Sequence, residues 1–452
     1  MCKKGLLCFL LIFLLILTGI LTACGDAGGE DASVTTLIYA NLTDGPGGAD
    51  RAAVERFNRM HRNVQIEIRD YFDEDGLSGR ERLMVEMAAG KIPDIIDLGN
   101  GFSFSQLPYQ VLARKGYLED LWPYIENDPE LGRDGVLEAP LKAAEVDGGL
   151  YVLFGGVRIN TLAGAESIVG DRTSWTLTEL QDAFASMPEE STILPFYYQK
   201  LDTFFYMMCM NLDGYVDWET GQCFFDNDSF RDALWFVNSF PDEVSYGEDV
   251  GVEVVERLLH GKQMLWVYPL FNIMYIQQID AMIGRGGRAS FVGYPTADGS
   301  TGSSFDPVGP KLSISASCQD KEAAWEFLRQ MILPQYDRER LREGDVPSFI
   351  PINREDYDNV RAVSQSKNFM PKRLGFNYPP DTIYVECHQV TDEEWERFEG
   401  LINRIDKVDM YDPNIFNIVW EATGAYFAGD KTLDETVQMI QNRVGLYVNE
   451  QR

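Results

Sequence analysis

Strand, helix, strand, helix and strand follow one another through residues 36–98, and this alternation limits the fold more tightly than any other feature of the chain. Residues 36–40 (TLIYA) read as a strand, and the glycine-rich turn 44–48 separates them from a helical pattern in which Ala53, Val54, Phe57 and Met60 recur. Val64-Gln65-Ile66-Glu67-Ile68 then alternates as a second strand. Leu83, Met84, Met87 and Ala88 mark a second helix that stops at Gly90, and residues 93–98 (PDIIDL) give a short buried strand. Such alternation implies a mostly parallel α/β sheet, whose ligands sit in the crevice beyond the carboxyl ends of its strands. Loops 41–48 and 99–106 therefore point at a site.

Further on, the turn 147–149 (DGG) leads into residues 150–154 (LYVLF), which read as a crossing into a second lobe. That lobe would hold a helix starting near Thr176, with Thr178 and Glu179 in its first turn, a helix over 229–238, and the segment 261–269. Residues 291–295 read as the return crossing, 312–315 as a strand back in the first lobe, and 321–331 as a helix. Residues 353–405 carry the weakest pattern.

The N-terminus reads as an export signal: Lys3 and Lys4 precede an apolar run, residues 6–20, that ends in Leu21-Thr22-Ala23-Cys24. The run falls short of the ~20 residues that a spanning helix needs. Cys24 after Leu-Thr-Ala resembles the lipobox of bacterial lipoproteins, in which that thiol is acylated and becomes the mature N-terminus. Two acyl chains, at about 0.8 kcal/mol per buried CH₂, suffice for stable tethering. Residues 25–31 (GDAGGED) read as a polar tether.

Without residues 1–23 the chain is still too long for one ordinary core and natural for two lobes. The formal charge is −32, and it grows more negative when Lys3 and Lys4 leave, which argues against nucleic acid and against capture by anionic lipid. Cys209, Cys223, Cys318 and Cys387 lack metal-ligand spacing. If a disulfide exists, Cys209 with Cys223 is favoured by proximity; free thiols are the alternative. His61, His260 and His388 are isolated, so neither a histidine metal site nor a Ser-His dyad has local support.

The order of short motifs resembles the extracellular solute-binding proteins of bacterial ABC importers, in the family that includes maltodextrin- and sugar-binding proteins. Residues 53–58 (AVERFN) with Val64-Gln65-Ile66 are similar to the family's opening helix and second strand, and residues 89–95 (AGKIPDI) to its AGxxPDI turn. Residues 116–121 (GYLEDL), 147–151 (DGGLY), 261–264 (GKQM) and 322–328 (EAAWEFL) resemble further family motifs, and the terminal helix matches through residues 432–441. The likeness spans roughly residues 37–445. The chain departs from the pattern at Tyr39-Ala40-Asn41, where many relatives carry Trp, and at 151–155 (YVLFG), where they carry YxLP.

The resemblance implies a two-lobed, periplasmic-binding-protein-like α/β fold of type II, each lobe a mostly parallel sheet flanked by helices, with the ligand cleft at the hinge. Residues 35–150 plus 296–333 would form the N-terminal lobe and 151–295 plus 334–452 the C-terminal lobe, after the signal peptide 1–23 and the tether 24–34. It also implies capture of a carbohydrate, an oligosaccharide in particular, by a monomer that is lipid-anchored at Cys24 on the outer face of the cytoplasmic membrane and delivers its solute to permease subunits. No cofactor or metal is implied.

Sugar binding needs ring faces against pyranose C–H surfaces and planar polar groups for hydroxyls. Carried over by motif, the candidates are Asn41 and Asp44 after the first strand, Asn100 and Phe102 after the third, and Phe154 at the crossing. Asp202 and Phe205 resemble the acidic-aromatic segment of the second lobe; Trp266, Tyr268 and Phe271 follow the GKxxM motif; Phe305 and Asp306 precede the strand at 312. A strongly ionised anionic ligand is less favoured in so acidic a chain, although Arg158 or Arg285 could supply a pocket charge. Trp175 and Trp325 are assigned to packing. Alternatives within the fold are a transporter-independent glycan-binding or sensory lipoprotein, and an importer component for a peptide or polyol. A glycoside hydrolase would need two carboxylates about 5–9.5 Å apart; with 71 Asp and Glu residues chance pairs are expected, and no catalytic motif is visible.

Overall fold

The computed structural model describes residues 34–42, 51–71, 77–99, 107–195, 200, 203–204, 212–240, 256–267, 269–284, 286–367, 373–378 and 381–451. The alternation at the start is realised as β1 (Thr35–Asn41), α1 (Arg51–Met60), β2 (Val64–Asp70), α2 (Leu77–Ala88) and β3 (Ile95–Asp97). The later strands used below are β4 (Gly156–Asn160), β5 (Ala163–Ala165), β6 (Leu265–Trp266), β7 (Ala289–Phe291), β8 (Ser304–Val308), β9 (Leu312–Ile314) and β10 (Ile350–Pro351).

The first sheet has the order β9-β3-β1-β2, with β1 parallel to both β2 and β3 and only β9 antiparallel. Its register places Asn41 opposite Asp70 and Tyr39 opposite Ile95, so the carboxyl ends of β1, β2 and β3 lie side by side. Asp94, from the PDI turn, fixes this arrangement: its carboxylate accepts the backbone N–H of Ile38 at 2.8 Å and of Gln319 at 3.1 Å. One buried side chain thereby ties β1, β3 and the approach to the helix Lys321–Leu328 together. That helix packs beside α1, where Phe57 meets Phe327 edge to face. Trp325 donates to Asp128, whose carboxylate also takes Arg329 Nε at 2.6 Å, which confirms a packing role for this tryptophan.

The Asp147-Gly148 turn is a tight hairpin turn with both residues at positive φ, closed by Val146 and Gly149 exchanging both backbone bonds. From there the chain reaches a second three-stranded sheet of order β8-β4-β10, antiparallel throughout. A third sheet, β6-β5-β7, is antiparallel too; among the described residues parallel isolated bridges join Thr176 to Thr296, Thr192 to Gln263 and Phe305 to Val408. The helix expected near Thr176 is Leu177–Ala185, opened by a capping box in which Thr176 and Glu179 cap each other. Trp175 is fully buried and donates to the Gly293 carbonyl.

Two hydrophobic cores result. The larger surrounds the first sheet and continues through the helices Met274–Ile283, Arg354–Ser364 and Asp392–Ile402. The smaller gathers Trp175, Phe225, Phe230 and Leu234 under the terminal helices Pro413–Phe427 and Leu433–Gln451. After residue 334, Leu341, Ile350 and Trp395 pack in the larger core, whereas Phe416 and Val437 pack in the smaller. Cys223 is a free thiol, so the pairing with Cys209 is not formed; Cys318 is free as well, and the Cys387 thiol donates to the Val385 carbonyl.

Candidate functional site

The chain leaves the first sheet at Gly155 to enter β4 and re-enters it through Gly309 and Pro310, between β8 and β9. A cavity of about 950 Å³ opens where these passages meet the carboxyl end of β1. Its walls combine Tyr39, the first turn of α1, Phe327, Tyr336 and Phe349. Volume and lining fit a small solute with apolar faces and polar edges. Gly155 and Gly156 are required by packing. A Cβ on Gly155 would sit 2.9 Å from the Met331 carbonyl oxygen, and one on Gly156 would sit 2.1 Å from the Phe349 ring.

A polar frame borders the cavity. Asn41 Nδ2 donates to Asp70 at 2.7 Å, and Arg51 Nη2 donates to both oxygens of the same carboxylate at 2.9 and 3.0 Å. Burial alone would raise the Asp70 carboxyl, but the bonds from Asn41 and Arg51 hold it below its ordinary value. Arg51 lines the cavity and Asn41 ends β1.

The floor is the β4/β8 strand pair. Its register sets Val308 opposite Gly156, Asp306 opposite Arg158 and Ser304 opposite Asn160, and alternation puts all six on one face. Gly156 and Val308 line the cavity. One step further along, Arg158 pairs with Asp306, and its guanidinium lies 5.3 Å from the centroid of the Phe271 ring. At the next step Asn160 donates to Asp409, which is fully buried. Burial pushes the Asp409 carboxyl up to about 7. It also raises Asp306, against the pull of Arg158 and Lys311, and lowers the Lys311 ammonium, against the pull of Asp306 and Asp97.

Of the residues anticipated from sequence, the structure brings Phe271 and Asp306 together at this floor, with Arg158 between them, and sets Asn41 at the cavity's edge. Phe154 and Phe305 are 0% exposed and belong to the larger core. Phe305 neighbours Asp306 on a strand and must face the opposite way. Trp266 is buried in β6. Asp44, Asn100, Phe102, Asp202, Phe205, Tyr268, Arg285 and Cys24 lie outside the described residues. Sequence reasoning did not single out Arg51, Phe349 or Asp409 as site residues, and noted Tyr39 only as a departure from the resembled pattern. Arg51 had a usable signal, its place in the first turn of a helix following a site loop; Asp409 had none, since its partner Asn160 is remote in sequence. Among the described residues no group of three or more His, Cys, Asp or Glu side chains is arranged to hold a metal ion.

No family model and no curated protein matches this chain. Solved structures do. The sugar-binding protein MalE from Xanthomonas citri superposes with a TM-score of 0.54 at 16% identity, over 92% of this chain and 98% of that one. A putative oligosaccharide periplasmic-binding protein from a Synechococcus species gives 0.51 at 14% identity, over 92% and 99%. An ABC substrate-binding protein from Listeria monocytogenes in complex with cycloalternan gives 0.50 at 15% identity, over 92% and 100%. At these identities the likeness is one of fold, and nearly the whole chain takes part in it: the protein is built on the two-lobed α/β scaffold of extracellular solute-binding proteins.

Proposed function

We propose that this chain captures a carbohydrate, an oligosaccharide in particular, between its lobes and presents it to the permease of a bacterial ABC importer. The observation that carries the reading is the cavity at the carboxyl end of the parallel sheet: aromatic walls, an anchored Asn41–Asp70–Arg51 frame and a floor made by the strands that link the lobes. The structural neighbours named above are sugar-, oligosaccharide- or ABC-substrate-binding proteins by description, which accords with it. One lobe is built around the first sheet, and the smaller core belongs to the other. The lipobox-like Cys24 carries the acyl chains that hold the protein at the outer face of the membrane, and residues 25–34 are the tether.

The mechanism is a population shift without covalent chemistry. A solute that touches both lobes favours the closed form, and the transporter recognises that form. A thermal-shift screen of residues 25–452 against mono- and oligosaccharides tests the reading, because a ligand that binds only the folded state raises stability by RT ln(1 + [L]/Kd). A saccharide that raises the melting temperature supports it. Shifts with peptides or polyols and with no saccharide would keep the fold and overturn the substrate.

A further inference from the structure

We propose that the solute carries a carboxylate, as a uronate-bearing oligosaccharide does, and that Arg158 is the residue that selects it. This rests on the carbohydrate reading above and names its substrate class. Arg158 shares a face of β4 with Gly156, which lines the cavity, and its side chain is 31% exposed, whereas that of its partner Asp306 is 4% exposed. The guanidinium is incompletely used. Nη2 donates to Asp306, Nε is buried without a partner, and Nη1 makes no hydrogen bond among the described residues. Stacking on Phe271 holds the guanidinium in place.

Asp306 does not neutralise this arginine alone. Lys311 is buried on the passage between β8 and β9, and its ammonium makes one weak contact, 3.5 Å to the Gly309 carbonyl. Its charge is drawn to Asp306 and Asp97 at once. Arg158 and Lys311 thus lie against Asp306, with Asp97 also drawing Lys311, and Arg158 is the exposed cation of the two. In a chain of net charge −32, this half-exposed guanidinium with open donors is a place where an anionic group could be received. A neutral pyranose uses such donors only through hydroxyls; a carboxylate takes them as charge-assisted bonds, about twice as strong.

The test is isothermal titration of residues 25–452 with matched pairs: α-1,4-linked digalacturonate and trigalacturonate against the neutral galactose oligomers, and xylan fragments with and without a glucuronate branch. The expected result is a uronate member bound at least about tenfold more tightly than its neutral counterpart, the factor that one charge-assisted bond supplies. Arg158→Gln should bring that ratio close to one, with Arg158→Lys intermediate, in proteins whose melting temperatures show them folded. Neutral members binding as tightly as uronates, or a ratio unchanged in Arg158→Gln, would overturn the anion and leave the carbohydrate reading standing. If Arg158→Gln fails to fold, the ratio in the unmodified chain and in Arg158→Lys decides. Binding of neither class would overturn both.

Discussion

Replacing Asp409 by Asn should change how stability depends on pH. The carboxylate is 0% exposed, accepts from Asn160 through one oxygen and leaves the other without a partner, and the Asp409 backbone N–H is bonded to the Phe305 carbonyl at 2.7 Å. Burial raises its pKa from 3.8 to about 7, with Asp306 adding to the effect and Ser304, Asn160 and Arg158 opposing it. The folded chain therefore keeps a proton that the unfolded chain has already released. The group's contribution is fully present below pH 3.8 and is lost as pH rises towards about 7. At about 1.4 kcal/mol per pH unit, the loss between pH 5 and pH 8 comes to roughly 2–3 kcal/mol. Asn mimics the protonated acid and has no such loss. Urea unfolding of the two proteins at pH 5, 6, 7 and 8 should thus show the variant gaining on the parent by this amount across the range. Asp306 is present in both proteins, so its own titration largely cancels. Parallel curves would refute the assignment of a proton to this site.

Other substitutions probe the packing beneath the site. Gly156→Ala forces a Cβ into the Phe349 ring and should cost about 1–3 kcal/mol in urea unfolding, part of which Phe349→Leu in the same chain should restore. No cost in the single variant would show that this approach is looser than described. Asp128→Asn removes the charge that Arg329 Nε and Nη2 use at 2.6 and 2.8 Å, in a pair whose side chains are 2% and 9% exposed, and should destabilise by about 3–5 kcal/mol. Arg329→Met on that background should recover part of the loss; a further drop would show that the arginine works independently of Asp128.

The sequence made the first sheet legible because its determinants are local. The alternation of β1 and β2, the Asp147-Gly148 turn and the Thr176–Glu179 cap are each written within a few residues. The hairpin of Arg373–Tyr378 with Asp381–Glu386 escaped, although its strands are also adjacent in sequence, because glycine, asparagine and two consecutive prolines blur the alternation. The floor of the site was only half legible. Asp306 and Phe271 could be named from motif order, but their meeting depends on the pairing of β4 with β8, and 148 residues separate Arg158 from Asp306. Phe154 and Phe305 show the limit of reading aromatics by motif: next to a site in sequence, both turn into the core. The alternation rule applied to Phe305 and Asp306 would have forced a choice between them.

Closure of the two lobes around a solute is the claim on which the account depends, and small-angle X-ray scattering reads it most directly. Residues 25–452 should be measured alone and with a saturating saccharide that has already raised the melting temperature. A smaller radius of gyration in the bound state is expected; an unchanged profile with a saccharide known to be bound would contradict the account.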